Sequence, residues 1–342
     1  MGSAARTQLA LPMVALPTAP GRPEGPVLTE RNDVEYVELT VRSILNWVDG
    51  RHMSDVYSLN PYRGCEFGCA YCYARYTHEF LDLPDWEDFE RRIFVKTGAA
   101  RALRRDLATS RDVRGAGIAI GTATDPYQPA EARFRVTRQI LEALLPHRDI
   151  PLSIVTKSGL IERDAELLGQ LARRHPLKVH FSCITLDREL LRAIERRSPM
   201  AHLRFKAMRA LTEQGVHCDL FVMPVLPGIT DGEESLTQLM TAAREAGAQS
   251  VGARALWLTG ASKRRFLPWL KAEFPKLHGK YMATFGERGM YTPDSYREAL
   301  AARVARARER AGFTEEAEVD VVSDDAPEGE GDPDPRPASG NC

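Results

Sequence analysis

The sequence alternates short apolar runs with longer segments in which apolar residues recur every three or four positions. The short runs predict buried strands and the longer segments predict amphipathic helices. A first strand at VYSLNPY and five later ones give six β–α units along the chain. The five later strands are predicted in the segments GIAIGTATD, LSIVTKS, KVHFSCIT, HCDLFVMPVLPG and SVGARALWL.

The helical segments carry start and stop signals. AEARFRVTRQILEALLP predicts one amphipathic helix that ends at Pro146, and DRELLRAIERR predicts a helix with Asp187 as its N-cap. After Thr259, the segments KRRFLPWLKAEFPKLHGKYMATF and TPDSYREALAARVARARERAG predict a helical extension over residues 259–313. Residues 31–258 would then form the main α/β domain with an N-terminal lead-in.

Strands that alternate with helices of this length favour parallel pairing with right-handed crossovers. Six such units are compatible with an open doubly wound sheet or with part of a β/α barrel. In both architectures, functional side chains collect at the carboxyl ends of the strands. The first predicted strand leads directly into a cysteine-rich segment, so we expect the functional site there.

The two ends of the chain differ in composition from the middle. Residues 1–30 are rich in Ala, Pro and Gly, and residues 314–342 are acidic with few large apolar side chains, so both are predicted to be disordered. From Gly312 onward there are ten acidic residues and one basic residue, which leaves 45 basic and 37 acidic residues before that point. A positive body makes nucleic acid one candidate partner.

Nothing in the sequence predicts a membrane segment. Apolar runs fall short of the roughly 18 residues that span a bilayer, and prolines interrupt the N-terminal apolar stretch, which we interpret as a leader that is not a signal peptide. Six cysteines in 342 residues are too few for a disulfide scaffold, so the expected location is the cytoplasm.

The segment NPYRGCEFGCAYCYAR places three cysteines, Cys65, Cys69 and Cys72, within eight residues. Three thiolates favour a soft metal centre. Zinc would need a fourth ligand, for which His78 is the nearest candidate. An iron–sulfur cluster is normally held by four cysteines, so three would leave one iron atom open to another ligand.

Two glycines in this segment, Gly64 and Gly68, suit a loop that turns tightly around a bulky inorganic group. The remaining cysteines, Cys183, Cys218 and Cys342, are scattered and form no second cluster motif. We interpret these three as structural or incidental thiols.

The spacing CxxxCxxC with an aromatic residue, Tyr71, before the last cysteine resembles the signature of radical S-adenosylmethionine (SAM) enzymes. The resemblance implies a partial (β/α)6 barrel and a [4Fe–4S] cluster on Cys65, Cys69 and Cys72, with SAM bound to the open iron. It also implies reductive cleavage of SAM to a 5′-deoxyadenosyl radical that abstracts hydrogen from a substrate. An electron donor such as flavodoxin or ferredoxin would be the partner.

A longer resemblance narrows the family. The segments NPYRGCEFGCAYCYAR, GTATDPYQPAE, TKSGLIERD and VMPVLPGITD are similar to the spore photoproduct lyase-like branch, over about residues 40–310. In particular they resemble its uncharacterised bacterial subgroup. The founding lyase of the branch reverses a thymine dimer in DNA and returns the hydrogen atom from a cysteine.

Five positions carry over from the family's motifs. Lys157 resembles the lysine that meets the SAM carboxylate, and Thr124 and Ser182 lie where polar contacts to SAM are expected. Tyr71 would pack near the adenine, and Tyr73 aligns with a tyrosine implicated in hydrogen-atom transfer. An exposed loop lysine, ordinary strand-end hydroxyls and plain aromatic packing are the alternative interpretations of these residues.

The loop TDPYQP follows a predicted strand, so its polar residues Asp125, Tyr127 and Gln128 are candidates for binding SAM or substrate. An ordinary turn explains the same residues equally well. Thr122 takes the place of the family's hydrogen-donor cysteine. A hydroxyl O–H bond is much stronger than a thiol S–H bond, so Thr122 cannot replace that donor.

The sequence therefore predicts a radical SAM enzyme whose substrate it does not identify. One alternative is a DNA-repair lyase that acts on damaged pyrimidines, which the positive body favours and Thr122 disfavours. Another is a non-catalytic iron–sulfur or zinc protein that binds a partner through the acidic tail.

Overall fold

The computed structural model describes six stretches of the chain, residues 25–31, 33–48, 56–83, 85–110, 113–287 and 289–313. Most of the predicted leader and the whole acidic tail, residues 314–342, lie outside these stretches. No helix in the described stretches is both long and apolar enough to span a membrane.

Eleven strands are found in the described stretches. In chain order they are β1 (Val27–Arg31), β2 (Val34–Glu38), β3 (Leu45–Val48), β4 (Val56–Leu59), β5 (Tyr62–Arg63), β6 (Arg92–Val95), β7 (Ile118–Ile120), β8 (Leu152–Thr156), β9 (Leu177–Ser182), β10 (His217–Val225) and β11 (Ser250–Ala255).

The larger sheet has the order β11-β10-β9-β8-β7-β4-β3. Its six strands from β4 to β11 pair in parallel, and β3 is added antiparallel to β4 at the edge. This confirms the six predicted β–α units and the α/β class. Six parallel strands joined by helices form the partial (β/α)6 barrel.

A smaller sheet with the order β1-β2-β6-β5 packs beside the barrel and was not predicted. Strand β1 contains residues 27–30, which belong to the leader whose composition predicts disorder. These residues pair antiparallel with β2, so their order comes from contacts with another strand and not from their own composition. The leader prediction is therefore wrong for these four residues.

Thirteen α-helices are found in the described stretches. They are α1 (Tyr76–Glu79), α2 (Asp88–Arg91), α3 (Ala99–Thr109), α4 (Val113–Ala116), α5 (Pro129–Phe134), α6 (Val136–Leu144), α7 (Ala165–Ala172), α8 (Arg188–Ile194), α9 (Ala201–Glu213), α10 (Glu233–Glu245), α11 (Gly260–Glu273), α12 (Pro275–Phe285) and α13 (Asp294–Arg310).

The single helix predicted after β7 is wrong, because it breaks into α5 and α6 at Arg135. This residue has a left-handed backbone with φ of 53°. The buried carboxylate of Glu131 accepts hydrogen bonds from the backbone N–H groups of Thr137 and Arg138 at 2.8 and 3.2 Å. The side chain of Glu131 thus caps α6 and stabilises a second helix start inside one amphipathic pattern.

Other helix predictions are confirmed. Asp187 caps α8 by accepting hydrogen bonds from the backbone N–H groups of Glu189 and Leu190 at 2.9 and 3.0 Å. The C-terminal extension is helical, and α11 begins after Thr259, whose hydroxyl forms a capping box with Ser262. Helix α13 packs against α10 and so holds the extension on the barrel.

Candidate active site

The segment that we call the cysteine loop, residues 64–75, follows β5 and turns at two glycines with positive φ. Gly64 has φ of 81° and Gly68 has φ of 65°. A Cβ on Gly64 would lie 2.9 Å from the carbonyl oxygens of Phe89 and Arg92, and one on Gly68 would lie 2.8 Å from the carboxylate of Glu90. Both positions therefore favour glycine for backbone conformation, and Gly64 requires it for space as well, because its neighbours are backbone atoms.

Backbone and side-chain hydrogen bonds fix the cysteine loop to its surroundings. The backbone N–H of Cys65 donates to the carbonyl of Phe89 at 2.9 Å. The buried guanidinium of Arg75 donates to the carbonyl of Cys69 at 2.8 Å and to the carboxylate of Glu90 at 2.5 Å. These hydrogen bonds hold the loop rigidly, and the ligands of a metal centre require such fixed positions.

The three thiols of this loop are free, and they lie close enough to influence each other electrostatically. Burial raises the pKa of Cys65, and the neighbouring Asp125, Cys69 and Cys72 raise it further. Burial also raises the pKa values of Cys69 and Cys72. A positive inorganic core would have to displace their protons on binding, and three soft donors side by side in one loop fit a [4Fe–4S] cluster.

The zinc alternative finds less support. Within the described part of the chain, no three His, Cys, Asp or Glu side chains converge in the way that one metal ion would need. His78 is buried, with Nε2 lying 3.0 Å from the carbonyl of Arg92 and its ring packed on Phe89. A cluster places each thiolate on a different iron atom, so it does not require convergence on one point.

A cavity opens beside the cysteine loop at the carboxyl ends of β8–β11. Its lining consists of Cys69, Tyr71, Cys72, Tyr73, Val155, Lys157, Ser182, Phe221, Met223, Pro224, Arg254, Ala255 and Trp257. Two of the three loop cysteines therefore share one space with both predicted tyrosines and with Lys157 and Ser182. Strand ends and the loop converge here as the α/β architecture predicts.

Lys157 lies in this cavity as a half-buried cation. Its Nζ donates to the hydroxyl of Ser182 at 3.0 Å and lies 5.6 Å from the ring centroid of Tyr71. Burial alone would lower the pKa of Lys157, but the nearby Cys69 and Glu195 raise it above its ordinary value. The ammonium group is thus available for an anionic ligand.

Tyr71 and Tyr73 line the cavity with their rings, and the hydroxyl of each donates a hydrogen bond to another group of the protein. The hydroxyl of Tyr71 donates to the carboxylate of Glu195, and the hydroxyl of Tyr73 donates to the backbone carbonyl of Thr122. The ring of Tyr73 lies 5.2 Å from that of Trp257. The hydroxyl of Thr122 accepts a hydrogen bond from the Asn60 amide at 2.9 Å.

Thr124 and Gln128 lie behind the cysteine loop and do not line the cavity. Both donate to the carbonyl of Gly64, from Thr124 Oγ1 at 2.6 Å and from Gln128 Nε2 at 3.1 Å. The Gln128 side chain also accepts from the backbone N–H of Glu66 at 3.1 Å. In this structure both side chains support the loop that carries the thiols.

Asp125 and Tyr127 are also outside the cavity lining. The carboxylate of Asp125 accepts from the hydroxyl of Thr156 at 2.8 Å and from the backbone N–H groups of Lys157 and Tyr127 at 2.7 and 2.9 Å. Asp125 therefore joins the ends of β7 and β8 and fixes the backbone of Lys157. Tyr127 is fully buried.

Several residues of the site were not singled out from the sequence. Glu195 and Arg204 are fully buried and paired behind Tyr71, and Arg254 and Trp257 line the cavity from the end of β11. Glu195 looks like one of many charged residues in DRELLRAIERR. Its burial follows from an antiparallel bridge with Cys69, which sequence spacing does not reveal.

Comparison with known proteins agrees with this geometry. The profile of the Radical SAM superfamily matches residues 59–240. The uncharacterised protein Rv2578c of Mycobacterium tuberculosis is 38% identical over 273 residues, covering 80% of this chain and 79% of that protein. The uncharacterised protein MJ0683 of Methanocaldococcus jannaschii is 30% identical over 177 residues, covering 52% of this chain and 63% of that protein.

The fold is similar to that of a solved spore photoproduct lyase complexed with a dinucleoside spore photoproduct. The TM-score is 0.58 at 17% sequence identity, and the match covers 81% of this chain and 79% of that one. At this identity the likeness concerns the fold. Taken with the superfamily profile, the thiol loop and the six parallel strands, it confirms the predicted family: the chain belongs to the radical SAM superfamily.

Proposed function

We propose that this protein is a radical SAM enzyme in which Cys65, Cys69 and Cys72 hold a [4Fe–4S] cluster. When bound, the cluster supplies one electron that cleaves SAM to methionine and a 5′-deoxyadenosyl radical, which abstracts hydrogen from the substrate. The observation that carries the proposal is the shared cavity, in which Lys157 lies with two of the loop thiols. The family's need for a reductant makes a flavodoxin or ferredoxin the expected partner, and the cytoplasm is the expected location.

The residues of the chain would position SAM rather than react with it. The Lys157 ammonium would meet the carboxylate of the methionine moiety, and the Ser182 hydroxyl, now its hydrogen-bond partner, would be released to a second polar group of SAM. The ring of Tyr71, held by its bond to Glu195, would form one wall against the adenine. The largely apolar cavity would limit access of water to the radical.

The roles of Tyr73 and Thr122 bear on the substrate. Tyr73 would take part in passing a hydrogen atom, as the resemblance implies, and its hydroxyl donates to the carbonyl of Thr122. The Thr122 hydroxyl is itself bound by Asn60 and cannot act as a thiol donor. The lyase's own route of thymine-dimer repair is therefore disfavoured. Thr124, Asp125, Tyr127 and Gln128 would contribute by shaping the loop and the ends of β7 and β8.

Anaerobic reconstitution with iron and sulfide tests the proposal. Reconstituted protein with reductant should convert SAM to 5′-deoxyadenosine, whereas Cys69→Ala should lose both the cluster absorption and the product. Cys218→Ala is the matched control, because that thiol is buried on β10 away from the cavity and its loss should leave both signals intact. Stoichiometric zinc without iron would support the binding-protein alternative, and stimulation by damaged DNA would support the repair alternative.

A further inference from the structure

The surface next to the cysteine loop carries four exposed arginines in a short stretch. Arg188 and Arg192 lie on α8, and Arg196 and Arg197 follow it directly. We call these four residues the arginine face. None of them forms an ion pair with a carboxylate in the described stretches, although many other surface arginines of the protein do.

Acidic side chains near this face do not cancel its charge. Asp187 and Glu189 are exposed at the start of α8, where the carboxylate of Asp187 caps the helix by accepting from the backbone N–H of Glu189. The carboxylate of Glu195 is buried and paired with Arg204. The guanidinium of Arg192 donates to the backbone carbonyl of Arg196 at 2.8 Å, a contact that leaves its charge uncompensated. The four positive charges therefore exceed those of the exposed carboxylates in the same segment, which leaves a positive local potential.

The arginine face is joined to the cysteine loop by backbone contacts. Glu195 forms an antiparallel bridge with Cys69, and the backbone N–H of Ala70 donates to the carbonyl of Ile194 at 2.9 Å. The backbone N–H of Arg197 donates to the carbonyl of Phe67, between the first two cysteines, at 3.1 Å. A protein bound to this face would be separated from the loop by one layer of chain.

The same face lies outside the cavity. No arginine of the face belongs to the cavity lining, in which Lys157 and Arg254 are the cations. A substrate must enter the cavity to react, but an electron donor needs only to come close to the cluster, since electron transfer weakens steeply with distance. The position of the face therefore suits an electron donor better than a nucleic-acid substrate.

We infer that the arginine face is the docking surface for an acidic one-electron carrier protein of the flavodoxin or ferredoxin class. This inference rests on the proposed function, because only a cluster in the cysteine loop gives the carrier an electron acceptor. One electron leaves the reduced carrier and enters the cluster, and no bond or proton is exchanged. Opposite charges bring the two proteins together and set the orientation of the encounter.

Charge reversal tests the docking surface with two reductants. The double variant Arg196→Glu/Arg197→Glu should raise the concentration of reduced flavodoxin that gives half-maximal 5′-deoxyadenosine formation by about tenfold or more, since like charges now meet. With dithionite, a small reductant that needs no docking, the rate should stay within about twofold of the parent protein. The carrier-driven rate of the parent should also fall as salt rises, and the variant should lose this dependence.

Arg101→Glu/Arg104→Glu is the matched control, because these exposed arginines lie on α3, which packs against α6 away from the cysteine loop. It should leave the flavodoxin requirement unchanged. Equal effects of the two double variants, or an equal loss with dithionite, would overturn the docking surface. The docking surface would also be overturned if Arg196→Glu/Arg197→Glu lost binding to a DNA duplex but kept the parent's half-maximal flavodoxin concentration.

Calorimetric binding of flavodoxin to the reconstituted protein separates the docking surface from the proposed function. If the parent cleaves no SAM with either reductant, the proposed function fails. The docking surface is still supported if the Arg196→Glu/Arg197→Glu variant weakens flavodoxin binding about tenfold or more. It is overturned if both proteins bind flavodoxin equally or not at all.

Discussion

Arg204 donates to the carboxylate of Glu195 at 2.5 Å, and both side chains are completely buried. Arg204 also donates to the carbonyl of Ser182 at 2.7 Å, while Glu195 accepts from the hydroxyl of Tyr71. Burial would raise the pKa of Glu195, but Arg204 and Lys157 hold it below its ordinary value. One buried ion pair therefore connects β9, the segment after α8 and the aromatic wall of the cavity.

Removing one member of this pair should destabilise the protein strongly. Arg204→Met is expected to lower the free energy of unfolding by about 3 kcal/mol, because the Glu195 carboxylate stays buried without its partner. Urea denaturation of the iron-free protein measures this change. The variant should also bind less iron on reconstitution, since Glu195 pairs with the backbone of Cys69.

The control for this variant is an exposed pair of similar chemistry. Lys206 contacts Glu162 at 2.9 Å, and the two side chains are 68% and 36% exposed. Lys206→Met should change the free energy of unfolding by less than about 1 kcal/mol, because water solvates both charges. Equal losses for the two variants would contradict a structural role for the buried pair.

Lys157→Met should weaken SAM binding without preventing cluster assembly. A charge-assisted hydrogen bond to a carboxylate contributes about 1.5–3 kcal/mol, which corresponds to a loss of about tenfold to a hundredfold in affinity. Anaerobic calorimetry of the reconstituted protein with SAM measures it. Lys178→Met is the control, since Lys178 is exposed on β9. Unchanged SAM affinity in Lys157→Met would refute the assignment of Lys157.

The buried imidazole of His78 makes the free energy of unfolding depend on pH. The pKa of His78 is lowered from 6.5 to about 4, mainly by burial and in part by the positive charges of Arg63, Arg92 and Arg75. Between those values the unfolded chain binds a proton that the folded protein does not, so stability falls as the pH drops from 6.5 towards 4. This contribution to the free energy of unfolding is at most about 3.4 kcal/mol.

Urea denaturation across that pH range, compared between the parent and His78→Phe, isolates this contribution. Phenylalanine keeps the ring packing against Phe89 and Phe94 but cannot take up a proton. The difference in unfolding free energy between the two proteins should therefore narrow or reverse as the solution is acidified. Parallel curves for the two proteins would show that His78 does not titrate in the folded state in the way described.

Lys96 is a buried cation whose pKa burial lowers to about 7, with Arg63 adding repulsion. Below about pH 7 the folded protein holds a buried positive charge, which lowers its free energy of unfolding. Between about pH 7 and the ordinary value of 10.5, the unfolded chain binds a proton that the folded protein does not, so the free energy of unfolding rises with pH. Lys96→Met removes the cost but leaves the carbonyl of Asn60 without its donor. We expect a net stabilisation of about 1–2 kcal/mol near pH 6.

The gain from Lys96→Met should shrink as the solution becomes alkaline, because the parent's amine is then neutral. Thermal unfolding at several pH values measures it. Lys178→Met again serves as control, since an exposed lysine has no burial cost. A gain of equal size at every pH would mean that packing, rather than the buried charge, explains the stabilisation.

Local sequence signals predicted the parts of the fold that depend on neighbouring residues. The six parallel strands follow from apolar runs separated by helical segments, and the cysteine loop follows from covalent spacing. Asp187 is a cap because its own side chain reaches the next two residues. The conformations of Gly64 and Gly68 were foreseeable for the same reason.

Long-range contacts decided what the sequence could not predict. Strand β5 is only two residues long and exists because it pairs with β6, more than twenty residues later. The break before α6 depends on Glu131, which Tyr62 and Arg163 hold in place from other elements at 2.5 and 3.0 Å. The Glu195–Arg204 pair was not predicted, because both residues lie among other charged residues and only the folded chain shows that these two are buried.

Mössbauer spectroscopy of protein reconstituted with the Mössbauer-active isotope of iron shows whether the cysteine loop holds a cluster with one iron atom open to SAM. We expect a [4Fe–4S] cluster in which one iron atom changes its signal when SAM is added, while the three iron atoms on Cys65, Cys69 and Cys72 do not. A cluster whose spectrum SAM leaves unchanged, or a protein that takes up no iron, would contradict it.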